Sequence, residues 1–116
     1  MVNEQDIIKT LEGYEFSYTC EEELQKAIAS ALTASSIPHQ REYRLNERDR
    51  LDFKVETIAI EVKVKGSLTE TVRQVARYLL APEIHSLIVV TTKAAHRGLP
   101  QNLNGKPIFV LYLPPL

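Results

Sequence analysis

The stretch "RLDFKVETIAIEVKVKGS", Arg50 to Ser67, decides how the chain folds. In its first half Leu51, Phe53 and Val55 alternate with Arg50, Asp52 and Lys54; in its second Ile58, Ile60 and Val62 alternate with Ala59, Glu61 and Lys63. Alternation of period two is the pattern of half-buried strands. If the chain turns at Glu56 and Thr57, Val55 faces Ile58, and Leu51, Phe53 and Val55 share one face with Ile58, Ile60 and Val62. A slip of one residue would mix the faces, so the apolar pattern selects this register. The register also sets Asp52 opposite Glu61, with Lys63 on the same polar face. Glu-Thr is a poor sequence for a tight primed turn, which needs positive φ, and a four-residue loop with the same pairing is equally expected.

Outward from the hairpin the remaining elements follow. "TCEEELQKAIASALTASSI" reads as a helix from Thr19, with Thr19 and Glu22 as a capping box and Leu24, Ile28, Ala31 and Leu32 at helical spacing. "HQREYRL" reads as a strand before the hairpin. After the break at Gly66 and Ser67, "TETVRQVARYLLA" reads as a second helix from about Thr69, with Val72, Val75, Ala76 and Leu79 on one stripe and Pro82 as its stop. "SLIVVTT" is a continuous apolar run, expected as a strand buried on both faces. A short helical segment is expected over Lys93 to Leu99, and "PIFVLYL" supplies a last strand. The order gives an α/β fold with a central mixed sheet flanked by helices.

The polar face of the hairpin carries the chemistry. Like charges directly opposite one another destabilise a sheet, whereas two carboxylates about 5 Å apart suit a hard divalent cation such as magnesium, which takes one or two carboxylates plus water and substrate phosphate. Lys63 points the same way two residues after Glu61, where an ammonium can hold a water or stabilise charge on a phosphoryl group.

Composition sets the frame. A chain of 116 residues with 44% hydrophobic content is expected to form one domain over residues 1–116. Cys20 is the only cysteine, so no internal disulfide and no zinc-type cluster is expected. No basic leader with an apolar run and no apolar stretch near 18 residues is present, so the expectation is a soluble cytoplasmic protein with no membrane partner. The net charge of −1 is unevenly distributed: residues 1–23 carry seven acids and one lysine, residues 24–116 thirteen basic and eight acidic residues. Arg41, Arg44, Arg48 and Arg50 lie within ten residues, a pattern open to either a solvated mixed-charge turn or a nucleic-acid contact.

Asp52, eight intervening residues, then Glu61-Val62-Lys63 resembles the active-site signature of the PD-(D/E)XK nuclease superfamily, which includes restriction enzymes, archaeal-type Holliday-junction resolvases and RecB-like exonucleases. The surroundings resemble it too. A glutamate-bearing helix precedes the hairpin, and the following helix holds Gln74-Val-Ala-Arg-Tyr78, similar to the Q-x3-Y element of RecB-like members. The likeness spans about Thr19 to Thr92, and Leu51 stands where a proline is common.

The resemblance implies a restriction-endonuclease-like αβββαβ core and metal-dependent hydrolysis of DNA phosphodiester bonds. Asp52 and Glu61 would bind Mg²⁺ or Mn²⁺, the Val62 carbonyl would be a third ligand, and Lys63 would position the attacking water. Of Glu21, Glu22 and Glu23 the resemblance selects Glu21 as a further ligand. Gln74 would sit beside the metal or the substrate phosphate, with Tyr78 one turn later. Arg41, Arg44, Arg48, Arg50 and Lys65 are the expected DNA contacts, and a homodimer is expected, with "PIFVLYLPPL" as its candidate surface or as internal packing. The rival expectation is a catalytically silent DNA-binding or assembly module on the same fold.

Other candidates are secondary. His39, His85 and His96 are scattered, Cys20 reads as structural, and "TTKAAHRGLP" reads as a surface connection with phosphate contact as its alternative. The acidic amino-terminal segment has two open roles, shielding the site or serving a partner.

Overall fold

In the computed structural model, which describes residues 1–114, the chain runs through helices α1 (Glu4–Glu12) and α2 (Glu21–Ala34), then strands β1 (Gln40–Arg44), β2 (Arg50–Val55) and β3 (Ile58–Lys63). Helix α3 (Leu68–Tyr78), strand β4 (Ser86–Thr91), a 3-10 turn at Ala94–Gly98, and strands β5 (Asn102–Leu103) and β6 (Lys106–Tyr112) complete it. The strands form one six-stranded mixed sheet in the order β1-β2-β3-β4-β6-β5. β3, β4 and β6 are mutually parallel, and the remaining pairings are antiparallel. The sheet is therefore α/β, with helices on both faces.

The hairpin takes the register expected from its apolar alternation: Val55 pairs with Ile58, Lys54 with Ala59 and Phe53 with Ile60. The connection is the two-residue turn, not the four-residue loop, with Glu56 at φ 52°. That residue is tied down, since its carboxylate accepts the Val2 N–H at 3.2 Å. On one face α1 and α2 bring Ile7, Leu11, Leu24, Ile28 and Leu32 onto Phe53, Val55, Ile60 and Val62. On the other α3 brings Val75, Tyr78 and Leu79 onto Leu51, Ala59, Leu87 and Val89. β4 serves both cores and is buried along its whole length, as its unbroken apolar run predicts.

Leu51 corrects the sequence reading. It does not share a face with Phe53 and Val55 but packs on the α3 side. The β1–β2 ladder joins Arg41 to Phe53 and Tyr43 to Leu51, skipping Glu42 and Asp52, and Glu42 adopts φ 51°. Both strands change phase at that point, so their side chains exchange faces.

The amino-terminal segment is a helix, which charge alone concealed. Asn3 and Asp6 form a reciprocal capping box, and Ile7 and Leu11 are buried against the α2 side of the sheet. Glu21 begins α2 with Cys20 as N-cap; the expected Thr19–Glu22 box is absent, and Thr19 instead bonds the Glu23 carboxylate through both its N–H and its hydroxyl. Cys20 is exposed rather than structural. Ser67 caps α3, whose buried stripe is Thr71, Val75 and Tyr78, offset from the expected one. Asn104 (φ 53°) and Gly105 (φ 76°) close the unforeseen β5–β6 hairpin, where an Asn-Gly pair suits a turn with both φ values positive. β6 pairs with β4, and Ile108 and Leu111 are buried in the two cores, which is the internal packing reading of "PIFVLYLPPL"; its residues 115–116 lie outside the described residues. No helix among the described residues is long and apolar enough to cross a membrane.

Candidate functional site

Beyond the Phe53–Ile60 pair the β2–β3 ladder opens. The Asp52 N–H donates to Glu61 Oε1 at 2.9 Å, and the Val62 N–H donates to Asp52 Oδ2 at 2.8 Å. Two carboxylates thus stand where backbone carbonyls would have completed the ladder. Asp52 and Glu61 are together in space, but as a reciprocal side-chain lock rather than as a facing cross-strand pair. A residue's N–H and C=O leave an extended strand on the same edge, so Val62 also turns its carbonyl towards this gap. Glu21, at the start of α2, accepts the Val64 N–H at 3.3 Å and so reaches the end of β3. Glu22 pairs with Lys26 at 3.5 Å and Glu23 with Thr19, which leaves Glu21 as the one acid of its run at the site.

Electrostatics makes the pair costly to ionise. Glu61 is 2% exposed, and burial first, then the charge of Asp52, pushes its pKa well above the ordinary range. Asp52 is pushed up to about 6, chiefly by burial, against the lowering effect of the Val62 N–H and of Lys63 and Arg50. The Tyr78 hydroxyl is also pushed up, by burial and by the charges of Glu61 and Asp52.

A cavity of about 450 Å³ opens over this lock. Glu21, Asp52, Glu61 and Lys63 line it together with Gln74 from α3, Arg44 at the end of β1, Arg48 in the connection that follows and Arg50 at the start of β2. Gln74 Nε2 donates to the Tyr78 hydroxyl at 2.8 Å, and Tyr78 donates on to the Arg50 carbonyl at 3.3 Å, so α3 fixes the edge of β2 at the cavity. The arginine loop is folded: Asn46 Oδ1 accepts the N–H groups of Arg48 and Asp49, and Arg44 donates to the carbonyls of Asn46 and Glu47. Of the expected DNA contacts, Arg41 lies apart, its guanidinium 5.5 Å from the centre of the Phe53 ring. Lys65 lines an adjoining cavity with Lys63. Helix α1 contributes nothing to either lining, so it does not shield this site.

The structure adds residues that sequence reasoning passed over. Asp49, 6% exposed, accepts from Arg77 Nε at 3.2 Å and ties the arginine loop to α3. Arg73 and Arg77 share the helical side that presents Gln74, and i, i+3 and i+4 spacing from Gln74 and Arg73 was the available signal. His96 is fully buried, contrary to the expected surface connection.

The carboxylate oxygens outside the bonds above are Asp52 Oδ1, Glu61 Oε2 and Glu21 Oε2, and by strand geometry the Val62 carbonyl faces the same gap. Among the described residues no three His, Cys, Asp or Glu side chains close into a ready-made metal cluster. No family model, curated protein or solved structure matches the chain.

Proposed function

We propose that the chain is a metal-dependent nuclease of the restriction-endonuclease-like, PD-(D/E)XK kind, hydrolysing phosphodiester bonds in DNA. One observation carries this reading: a sheet ladder opened around a buried and a half-buried carboxylate that repel each other, beside a lysine and under a cavity rimmed by arginines. A solvated hairpin face has no physical reason to bury that pair.

The donor set fits magnesium or manganese, hard ions that take one or two carboxylates and retain waters. Asp52, Glu61 and the Val62 carbonyl would hold the ion, with Glu21 at the margin. When bound, the ion supplies Lewis acidity, lowering the pKa of a water and offsetting charge on the phosphate. Lys63 orients the attacking water in line with the scissile bond, a positioning contribution. Gln74, steered by Tyr78, offers its free Oε1 on the same side. Arg44, Arg48 and Arg50 grip backbone phosphates, with affinity that falls as salt rises. By the resemblance, the products carry 5′-phosphate and 3′-hydroxyl ends.

The test is cleavage of labelled single-stranded, duplex and branched DNA with EDTA, Mg²⁺ or Mn²⁺. Metal-dependent cutting that falls about 100-fold or more in Lys63→Ala, with the melting temperature unchanged, is the expected result. Folded wild-type protein that cuts none of the substrates would overturn it in favour of the DNA-binding or assembly module.

A further inference from the structure

Beyond Lys63 the surface continues into the adjoining cavity, about 330 Å³ in volume. The two cavities share Lys63, Gln74 and Arg77, so a chain lying across the carboxylates runs on into it. Their charge balance differs. The first sets the carboxylates of Glu21, Asp49, Asp52 and Glu61 against a similar number of cations; the second is lined by Lys63, Lys65, Arg73 and Arg77 against a single acid, Glu70. Glu70 is engaged by the helix cap, accepting from the Ser67 hydroxyl at 2.9 Å. Arg77 is engaged by Asp49. Lys65 and Arg73 are both exposed, and among the described residues neither has an acidic partner within salt-bridge distance.

The walls that present these two cations are held from below by His96. Its Nδ1 lies 2.7 Å from the Thr91 hydroxyl, which itself accepts the Lys93 N–H at 3.0 Å. The Gly66 carbonyl can only accept, so the imidazole carries a proton on Nε2. That N–H donates to the Gly66 carbonyl at 3.1 Å and lies 3.2 Å from the Thr71 hydroxyl. Gly66, at φ 99°, makes the bend after Lys65, and Thr71 belongs to the first turns of α3. One buried ring thus fixes both sides of the cavity.

We infer that this chamber is a phosphate subsite in which Lys65 and Arg73 hold the backbone phosphate next to the one at the carboxylates, on the same nucleic-acid strand. A polyanion carries one charge per nucleotide; in the carboxylate cavity the cations are offset by four acids, whereas Lys65 and Arg73 meet the strand without an acid paired to them among the described residues. The identity of that phosphate as the neighbour of a scissile one rests on the nuclease reading, whereas the affinity of the chamber for a phosphodiester strand does not.

The experiment measures binding of a labelled oligothymidylate in EDTA across a range of salt, with wild type, Lys65→Ala, Arg73→Ala, Arg73→Lys and, on the far side of the sheet, Lys9→Ala. Lys65→Ala and Arg73→Ala each weaken binding, and each flattens the plot of log affinity against log salt by about 0.7, the loss of one phosphate contact on a single strand. Arg73→Lys restores most of the slope and Lys9→Ala leaves it unchanged. Slopes equal to wild type in both alanine variants, an equal loss in Lys9→Ala, or no binding by wild type overturns the subsite. Lost slope in a protein that cuts no DNA retains the subsite and removes the nuclease reading; metal-dependent cutting with unchanged slopes does the reverse.

Discussion

Asp52→Asn should make the metal-free protein more stable, and only above the acid range. In the folded chain burial holds the Asp52 pKa at about 6 against an ordinary 3.8. Between those values the native state binds more protons than the unfolded one, so stability falls as pH rises, and the loss is complete once pH has passed the folded pKa. The shift corresponds to about 3 kcal/mol, on the order of 10 °C in melting temperature for a domain of this size. Asparagine keeps a side-chain oxygen for the Val62 N–H, removes the charge and relieves Glu61, whose own elevation owes its second cause to Asp52. Thermal denaturation in EDTA should therefore show the variant melting above wild type at about pH 8 and close to it at about pH 3, below the ordinary carboxylate pKa, where the aspartate is largely protonated in both states. Millimolar Mg²⁺ should narrow the gap at the higher pH by stabilising wild type alone. A variant that melts at or below wild type at the higher pH, or a difference that does not vary with pH, refutes the reasoning.

His96→Ala removes a fully buried ring that bonds Thr91, Thr71 and the Gly66 carbonyl; it should cost about 2–4 kcal/mol in urea denaturation, and a loss within the range of a surface substitution would show the network to be slack. Gly105→Ala meets no steric neighbour but must adopt φ 76°, so it should cost about 1 kcal/mol through backbone strain alone, measured by the same denaturation midpoint.

The hairpin register was legible because Phe53, Val55, Ile58 and Ile60 obey strict alternation, and only one pairing gathers them on one face. Leu51 obeys the same alternation and still lies on the other face. The phase change depends on Asp52 and Glu61 leaving the ladder and on Glu42 taking positive φ, a tertiary exchange of hydrogen-bond partners that periodicity does not encode. Glu21 was separable from Glu22 and Glu23 by resemblance alone; the physical separation is that only Glu21 reaches the Val64 N–H, while its neighbours are satisfied by Lys26 and Thr19. Two misses were readable. Asn3 with Asp6 is a capping signal ahead of Ile7 and Leu11, and Asn104-Gly105 is a hairpin signal ahead of an apolar strand. His96 was not readable, since its burial depends on Gly66, Thr71 and Thr91 converging from three separate segments.

The open ladder explains how a small sheet can keep such a site without orphaning its backbone. When two strands part, the N–H groups at the fork lose their carbonyl acceptors, and a buried unmatched donor costs about 1–3 kcal/mol. Asp52 and Glu61 supply the missing acceptors to each other's strand, so the fork is satisfied and the carboxylates are immobilised by the same two bonds. Neither can rotate to solvent without exposing a donor, and neither can ionise cheaply while the other is charged. The fold thereby fixes both side chains in one geometry and leaves their charge only partly compensated by Lys63 and Arg50, a state that a bound cation relieves. On the nuclease reading, the stability sacrificed at neutral pH and the readiness of the site for a metal are the same physical fact, seen without and with the ion.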